Sequence, residues 1–305
     1  MELPKPTPAA GEVLVRLVGA APNPFDRAVY DGFLRHLPHS FPLVIGFDGA
    51  GIVEEVGEGV ERFEKGSKVY GSFAHLPLGR GTFAEYIAIS SDSSIETAPK
   101  RISLLEAAAA PGAGMTAVGL VDETAIAAGQ TVLIVGASGG VGGFAVQLAG
   151  AKGACVLATA RPDAAERLRS LGAAKTIDYG QRSVAGQIPE IAPGGIDVLL
   201  DLVSDPESFS SNVEMVRDGG RAVSLRYAAQ AELLASERVE VVNFSLREHP
   251  RASEFLRTLT EAIDGDGIGV VIEAELSLEE APVLLAAREL RGARGKTVIR
   301  IGNWP

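Results

Sequence analysis

The densest chemical signal in the chain is the run Gly136-Ala137-Ser138-Gly139-Gly140-Val141-Gly142. It follows the apolar stretch Thr131 to Val135 and opens a segment whose Val141, Ala145 and Leu148 fall on one helical face. Glycines between a strand and a helix let the backbone approach a pyrophosphate, which the amides of the helix start then bind. Ser138, Gly139, Gly140, Val141 and Gly142 are the expected contacts, and Ala137 stands where the usual fingerprint has its first glycine. Alone, such a run could also be a tight turn in a protein without nucleotide. Further on, where an NAD site offers Asp or Glu to the ribose 2′-hydroxyl, the chain reads Ala158-Thr159-Ala160-Arg161. Thr159 repels nothing there, and Arg161 could pair a 2′-phosphate through charge-assisted hydrogen bonds, so the expected cofactor is NADPH.

Other chemistries are excluded by what the chain lacks. It has 305 residues, a formal charge of −11 and no Lys/Arg-rich run, which argues against nucleic-acid or anionic-lipid partners. Its one cysteine, Cys155, rules out an intrachain disulfide and a four-cysteine zinc site. The histidines His36, His39, His75 and His249 show no ligand spacing, and each reads as a loop or surface residue. Without a signal-like start or a long apolar run, a soluble, cytoplasmic protein is expected.

The elements that must position the glycine turn fall into two styles. From Gly11 to about Ser90 the chain is β-rich, with runs at Glu12 to Val18, Leu43 to Val56, Lys68 to Tyr70 and Phe83 to Ile89 between Gly, Pro and Asn turns. From about Leu104 to Phe244 short buried strands alternate with helices, the pattern of a parallel sheet. The strands expected there are Thr131 to Val135, Cys155 to Thr159, Lys175 to Asp178, Asp197 to Val203, Arg221 to Leu225 and Val239 to Phe244, enough for a full dinucleotide-binding sheet. A helix near Arg251 to Ile263, a strand Val270 to Leu276, a helix opened by the capping box Ser277-Leu278-Glu279-Glu280 and a strand Lys296 to Ile301 follow. These read as a return to the first domain: 1–103 and 246–305 form a discontinuous catalytic domain, and 104–245 is the inserted nucleotide domain.

In order and spacing, several segments carry a family resemblance: Gly11-Glu12-Val13-Leu14-Val15, Asn23-Pro24-Phe25-Asp26, Gly46-Phe47-Asp48-Gly49-Ala50-Gly51, Lys68-Val69-Tyr70-Gly71, Met115-Thr116-Ala117, Ala137 to Gly142, and Arg294-Gly295-Lys296. The chain resembles the medium-chain dehydrogenase/reductase superfamily, and within it the zinc-free quinone oxidoreductases related to zeta-crystallin. The resemblance implies an α/β fold, with a doubly wound parallel Rossmann sheet inserted in a β-rich, GroES-like catalytic domain. It also implies a cleft between the two domains for the nicotinamide, and a homodimer joined through the last Rossmann strand. By position, Thr116 and Leu202-Val203 would flank the nicotinamide, Ser224 and Leu225 would approach the cofactor, Phe244-Ser245 would contact the carboxamide, and Tyr179 would lie against the adenosine phosphate.

Departures from the family pattern are equally informative. Zinc-dependent relatives place a cysteine near Asn23 and a histidine where this chain has Phe47, so no metal is expected. Relatives also carry further residues before the segment matching Gly11, which leaves open whether Met1 is the natural start. Without a metal, hydride can pass from NADPH only to an acceptor that is already electrophilic, a quinone or an α,β-unsaturated carbonyl. Asn23 is the candidate for orienting that acceptor. Tyr30 is a candidate proton donor, displaced by two residues from the tyrosine of relatives. Asp26 reads as structural, Asp48 as a holder of hydrogen bonds and Tyr70 as core. Two rivals stay open: an enoyl-thioester reductase on the same scaffold, and an NADPH-binding or redox-sensing protein without turnover.

Overall fold

The structure is a computed structural model that describes residues 2–286 and 294–302, so Met1 lies outside it. The chain forms two compact units, one of residues 1–113 and 256–305, the other of residues 114–255.

The first unit begins with β1 (Glu12–Ala21), α1 (Pro24–Tyr30), β2 (Asp48–Val56), β3 (Lys68–Ser72), β4 (Tyr86–Ser90), β5 (Ile95–Thr97), α2 (Leu104–Ala109) and the start of α3 (Pro111–Glu123). Alternating burial along β1 supplies Val13, Val15 and Leu17 to a core shared with Val53, Phe63, Phe73, Ile87 and Ile299. Residues Leu43 to Phe47, expected within a strand, lie outside β2. Their backbone groups pair irregularly with the chain near Gly79 to Phe83 (Val44 N–H to Gly79 O, Phe83 N–H to Ile45 O), and Gly46 sits at φ +112°. The same pairing starts β4 at Tyr86 rather than Phe83.

The second unit runs β6 (Thr131–Val135), α4 (Gly140–Ala151), β7 (Cys155–Thr159), α5 (Pro162–Ser170), β8 (Lys175–Ile177), α6 (Val184–Ile191), β9 (Ile196–Asp201), α7 (Pro206–Val213), β10 (Val216–Ser224), α8 (Ala231–Leu234) and β11 (Glu240–Asn243). Its six strands lie in the order β11-β10-β9-β6-β7-β8, and every pair is parallel. That order reverses beside β6, where the chain crosses from one half of the sheet to the other. In open parallel sheets, ligands bind outside the strands' C-terminal ends at such a switch point. β10 begins earlier than Arg221 because a register break between Val216 and Arg221 extends its pairing with β9.

The chain returns to the first unit through α9 (Phe255–Asp266), β12 (Ile272–Ser277), α10 (Ala281–Ala286) and β13 (Lys296–Arg300). A 3-10 turn over Ala252–Glu254 precedes α9, so that helix starts later than the sequence suggests. β13 pairs with β12 in parallel and with β1 antiparallel, giving a seven-stranded sheet. This pairing brings the start of β13 to the far end of β1, where α1 begins.

Candidate active site

In the second unit, β6 runs into the turn at Gly136, whose φ of +87° favours glycine. A Cβ on Gly136 would lie 2.8 Å from Val203 Cγ1, so the turn packs directly on the loop after β9. A Cβ on Gly142 would lie 2.5 Å from both Ala137 Cα and Gly136 O, so only glycine lets α4 pack this closely on the turn. Gly139 caps α4, and a Cβ there would have only Gly136 O within reach, at 3.6 Å. The turn is thus tight underneath and open above Gly139, and α4 begins with amides that have no partner inside the helix. That combination fits a pyrophosphate.

The surrounding residues split into supports and open positions. Thr159, at the end of β7, is buried, and its Oγ1 accepts the Gly136 N–H at 2.9 Å. Arg161 is exposed, and its guanidinium lies about 4.0 Å from where a Cβ on Gly180 would stand, next to the half-exposed Tyr179. Leu202 is buried and Val203 is exposed. The Ser224 hydroxyl accepts the Ala228 N–H at 2.9 Å, and the carbonyl of Ser224 accepts the Phe244 N–H at 2.9 Å. Leu225 N–H donates to Asp201 O, and Thr116 lies on α3, partly exposed.

Three supports escaped the sequence reading. Arg167, on α5, donates from Nη2 to Ser138 O at 3.2 Å and so braces the turn. Asp201 is buried at the end of β9. Its Oδ1 accepts the Val203 and Ser204 N–H groups at 3.2 and 2.9 Å, while Oδ2 accepts from Asn212 Nδ2 at 2.9 Å. His249 is not a surface residue: its ring lies against those of Phe244 and Phe255, and Nε2 is 3.3 Å from Glu123 and 3.7 Å from Asp122. An acid closing a strand before a loop was a readable signal for Asp201. The roles of Arg167 and His249 depend on contacts far along the chain.

In the first unit, Asn23 caps α1, and Asp26 Oδ2 accepts its N–H at 2.6 Å, closing a capping box. Asn23 Oδ1 accepts a hydrogen bond from Lys296 Nζ at 2.6 Å, and the same ammonium donates to Pro22 O at 3.1 Å. Asp48 Oδ2 accepts the Gly112 N–H at 2.8 Å. A Cβ on Gly112 would sit 2.7 Å from that oxygen and 3.2 Å from Asn23 Nδ2, so no other side chain fits. Asp26, Asp48 and Lys296 are all buried.

Two carboxyls and one ammonium share this pocket, so full ionisation would leave a net negative charge in a dry place. Burial pushes the Asp26 carboxyl up to about 7, helped by Asp48 and opposed by the Asn23 N–H and Lys296. Burial also raises Asp48, against the pull of Lys296, Asn23 and the Gly112 N–H. It lowers Lys296, against the two carboxyls. An electrically neutral arrangement needs one proton on the two carboxyls, and Asp26 Oδ1, buried without a hydrogen-bond partner, is an oxygen able to carry it.

Phe47 turns its ring to Phe25, with centroids 5.0 Å apart. Tyr30 ends α1, is 48% exposed, and lies under the Arg27 guanidinium at 5.7 Å. The Asn23 network does not include it. Tyr70 is fully buried, with its hydroxyl bonded to Thr260 Oγ1 and Leu256 O.

A parallel sheet carrying a phosphate-type glycine turn, and a mainly antiparallel sheet holding a buried polar centre, define an oxidoreductase of the dinucleotide-binding kind. The family described as "Alcohol dehydrogenase GroES-like domain" matches residues 9–100, and that described as "Zinc-binding dehydrogenase" matches residues 140–247. The chain belongs to the medium-chain dehydrogenase/reductase superfamily and, within it, to the quinone oxidoreductase-like family. It is 29% identical to the mouse (Mus musculus) protein "NAD(P)H oxidoreductase RTN4IP1, mitochondrial" over 95% of this chain and 82% of the relative. It is 33% identical to "NADPH-dependent alkenal/one oxidoreductase, chloroplastic" of Arabidopsis thaliana over 70% of this chain but only 55% of that relative. The solved quinone oxidoreductase of Coxiella burnetii superposes with a TM-score of 0.80 at 27% identity, covering 98% of this chain and 93% of that one.

Proposed function

We propose that this chain is a reductase that uses NADPH to reduce a quinone or an α,β-unsaturated carbonyl without a metal. The observation that carries the cofactor choice is the end of β7. There the residue expected to meet the ribose is Thr159, whose hydroxyl is taken by the Gly136 N–H, while Arg161 supplies a cation in an Ala158 to Arg161 stretch that holds no acid. A 2′-hydroxyl finds no acid acceptor in that stretch, and a 2′-phosphate finds a cation. The names of the alkenal/one and quinone oxidoreductases support the acceptor class.

The pocket of Asp48 does not suit zinc. Its groups are two carboxyls, an amide and an ammonium, with Phe47 where a histidine would be needed, and the buried Lys296 would repel a divalent cation. No step is therefore routed through a metal.

When bound, the reduced nicotinamide supplies a hydride. Gly139 to Gly142 hold the pyrophosphate against the start of α4, and Arg161 and Tyr179 hold the adenosine end. Leu202, Val203, Thr116 and Phe244-Ser245 fix the nicotinamide, with Ser224 and Leu225 supporting them. Asn23 hydrogen-bonds the acceptor oxygen, which gains negative charge as the adjacent unsaturated system accepts the electron pair. The proton that completes the product comes from water, or from Tyr30 where its exposed hydroxyl reaches the acceptor. β11, at the edge of its sheet, is the strand through which a second copy would pair, giving a homodimer that sedimentation would detect. Among the described residues no helix is long and apolar enough to cross a membrane.

The test is stopped-flow oxidation of NADPH and NADH against quinones, enones and enoyl thioesters. The expected result is oxidation of NADPH by quinones or enones that added chelator leaves unchanged. Tight NADPH binding with no oxidation by any acceptor would refute the proposal, and a strong preference for enoyl thioesters would replace its substrate class.

A further inference from the structure

Lys296 is a cation inside the protein that no step above uses. It stands at the start of β13, and its ammonium reaches across to the junction of β1 and α1. A buried lysine costs desolvation and is kept only where its donors are taken up. Here two of its three N–H groups are taken up by Pro22 O and by the amide oxygen of Asn23, the side chain placed on the acceptor in the proposed reaction, and the Asp26 and Asp48 carboxyls face the charge.

An ammonium donates and never accepts, so its bond decides which way the Asn23 amide faces: Oδ1 must point to Lys296 and Nδ2 away from it. On the other side, Nδ2 lies beside the Asp48 carboxyl, whose affinity for a proton it lowers, and donates a long 3.4 Å hydrogen bond to Ala21 O. That second contact is weak by distance, and Asn23 is partly exposed, so one N–H remains available to a ligand. A cation bound to the oxygen of an amide also draws electron density from its nitrogen, which strengthens the N–H as a donor.

We propose that Lys296 is a positioning residue for the reduction, acting through Asn23: it fixes the amide with an N–H toward the acceptor oxygen and strengthens that N–H as charge develops there. This rests on the reductase reading above. No covalent step belongs to Lys296. The hydride carries both electrons to the acceptor, the proton comes from elsewhere, and Lys296 keeps its own protons throughout. The charged groups facing it are Asp26 from α1 and Asp48 from β2, with the Gly112 N–H of α3 on Asp48.

The experiment compares Lys296→Met, which keeps length and loses donor and charge, with Lys296→Gln, which keeps a donor without charge, and with Asn23→Ala. In the cofactor-free chain, NMR of the Asn23 side-chain amide should show its Nδ2 protons shifted upfield in Lys296→Met and partly so in Lys296→Gln. The Asp26 carboxyl should titrate higher in Lys296→Met, because a positive neighbour has gone. In turnover, kcat should fall about tenfold or more in Lys296→Met, the scale of a hydrogen bond to a charged group, with NADPH affinity within about twofold. Adding Asn23→Ala to Lys296→Met should then cost little more. Losses that multiply in the double variant, or a folded Lys296→Met with unchanged kcat, would overturn the positioning role, as would unmoved Asn23 amide resonances. A wild type that oxidises no NADPH with any acceptor would instead overturn the reductase reading, and the NMR comparison would still decide the Lys296–Asn23 coupling.

Discussion

Thr159 Oγ1 accepts the backbone N–H of Gly136 at 2.9 Å, joining the end of β7 to the first residue of the glycine turn. The hydroxyl that the sequence offers to a ribose therefore has a structural partner. Thr159→Val keeps the shape and strands the Gly136 N–H, which should cost about 1–3 kcal/mol of stability. NADPH and NADH should weaken together. Calorimetric titration of both cofactors checks this, and a loss confined to one of them would place the hydroxyl on the ribose instead.

Arg161 is exposed at the N-cap of α5, so its removal should leave the fold intact. Arg161→Ala is expected to weaken NADPH about tenfold or more while barely changing NADH, as the loss of a hydrogen bond to a charged phosphate would. Equal effects on both cofactors would show that the 2′-phosphate lies elsewhere.

The two glycines of the turn should respond differently to one added methyl group. Gly142→Ala drives a Cβ to 2.5 Å from backbone atoms that cannot move away, and it should lower the melting temperature as well as binding. Gly139→Ala meets only Gly136 O at 3.6 Å, so it should fold normally and lose affinity only because a methyl group occupies the pyrophosphate's approach. Paired melting curves and titrations separate the two. Equal melting temperatures for the two variants would contradict the packing described for Gly142.

Asp26 ties pH to stability. Its folded carboxyl titrates near 7, so between about pH 4, where an unfolded carboxyl has lost its proton, and pH 7 the folded chain holds a proton that the unfolded chain has released. Through this group stability falls as pH rises across that window and is flat above it. Asp26→Asn cannot titrate, and its amide oxygen can still accept the Asn23 N–H. The variant should therefore gain on the wild type as pH is raised from 5 to 8, as read from urea midpoints. A difference that does not change with pH would mean that Asp26 stays ionised.

Much of the scaffold was legible because its signals are local. Strand β6 was placed to the residue, and β7 as well, because each is a short apolar run between turn residues, the first closed by Gly136 and the second lying between Gly153 and Pro162. The Ser277 box is equally local. Leu43 to Phe47 misled for the opposite reason: β-branched and apolar residues look like a strand, while its partner, near Gly79 to Phe83, sets an irregular pairing that composition does not record.

By itself the sequence determined the alternation of elements, the glycine turn, and that positions 23 and 47 carry an amide and a phenyl ring in place of a thiol and an imidazole, since each depends on residues close together in the chain. Tertiary structure alone decided that Thr159 faces the turn, that Arg167 braces Ser138, and that Lys296 meets Asn23 across a separation of 273 residues. Periodicity says which face of a strand is buried but not which strand lies beside it. The charge of the buried centre follows from that pairing, because β13 lies beside β1 and carries an ammonium to two carboxyls that would otherwise share the pocket without a cation.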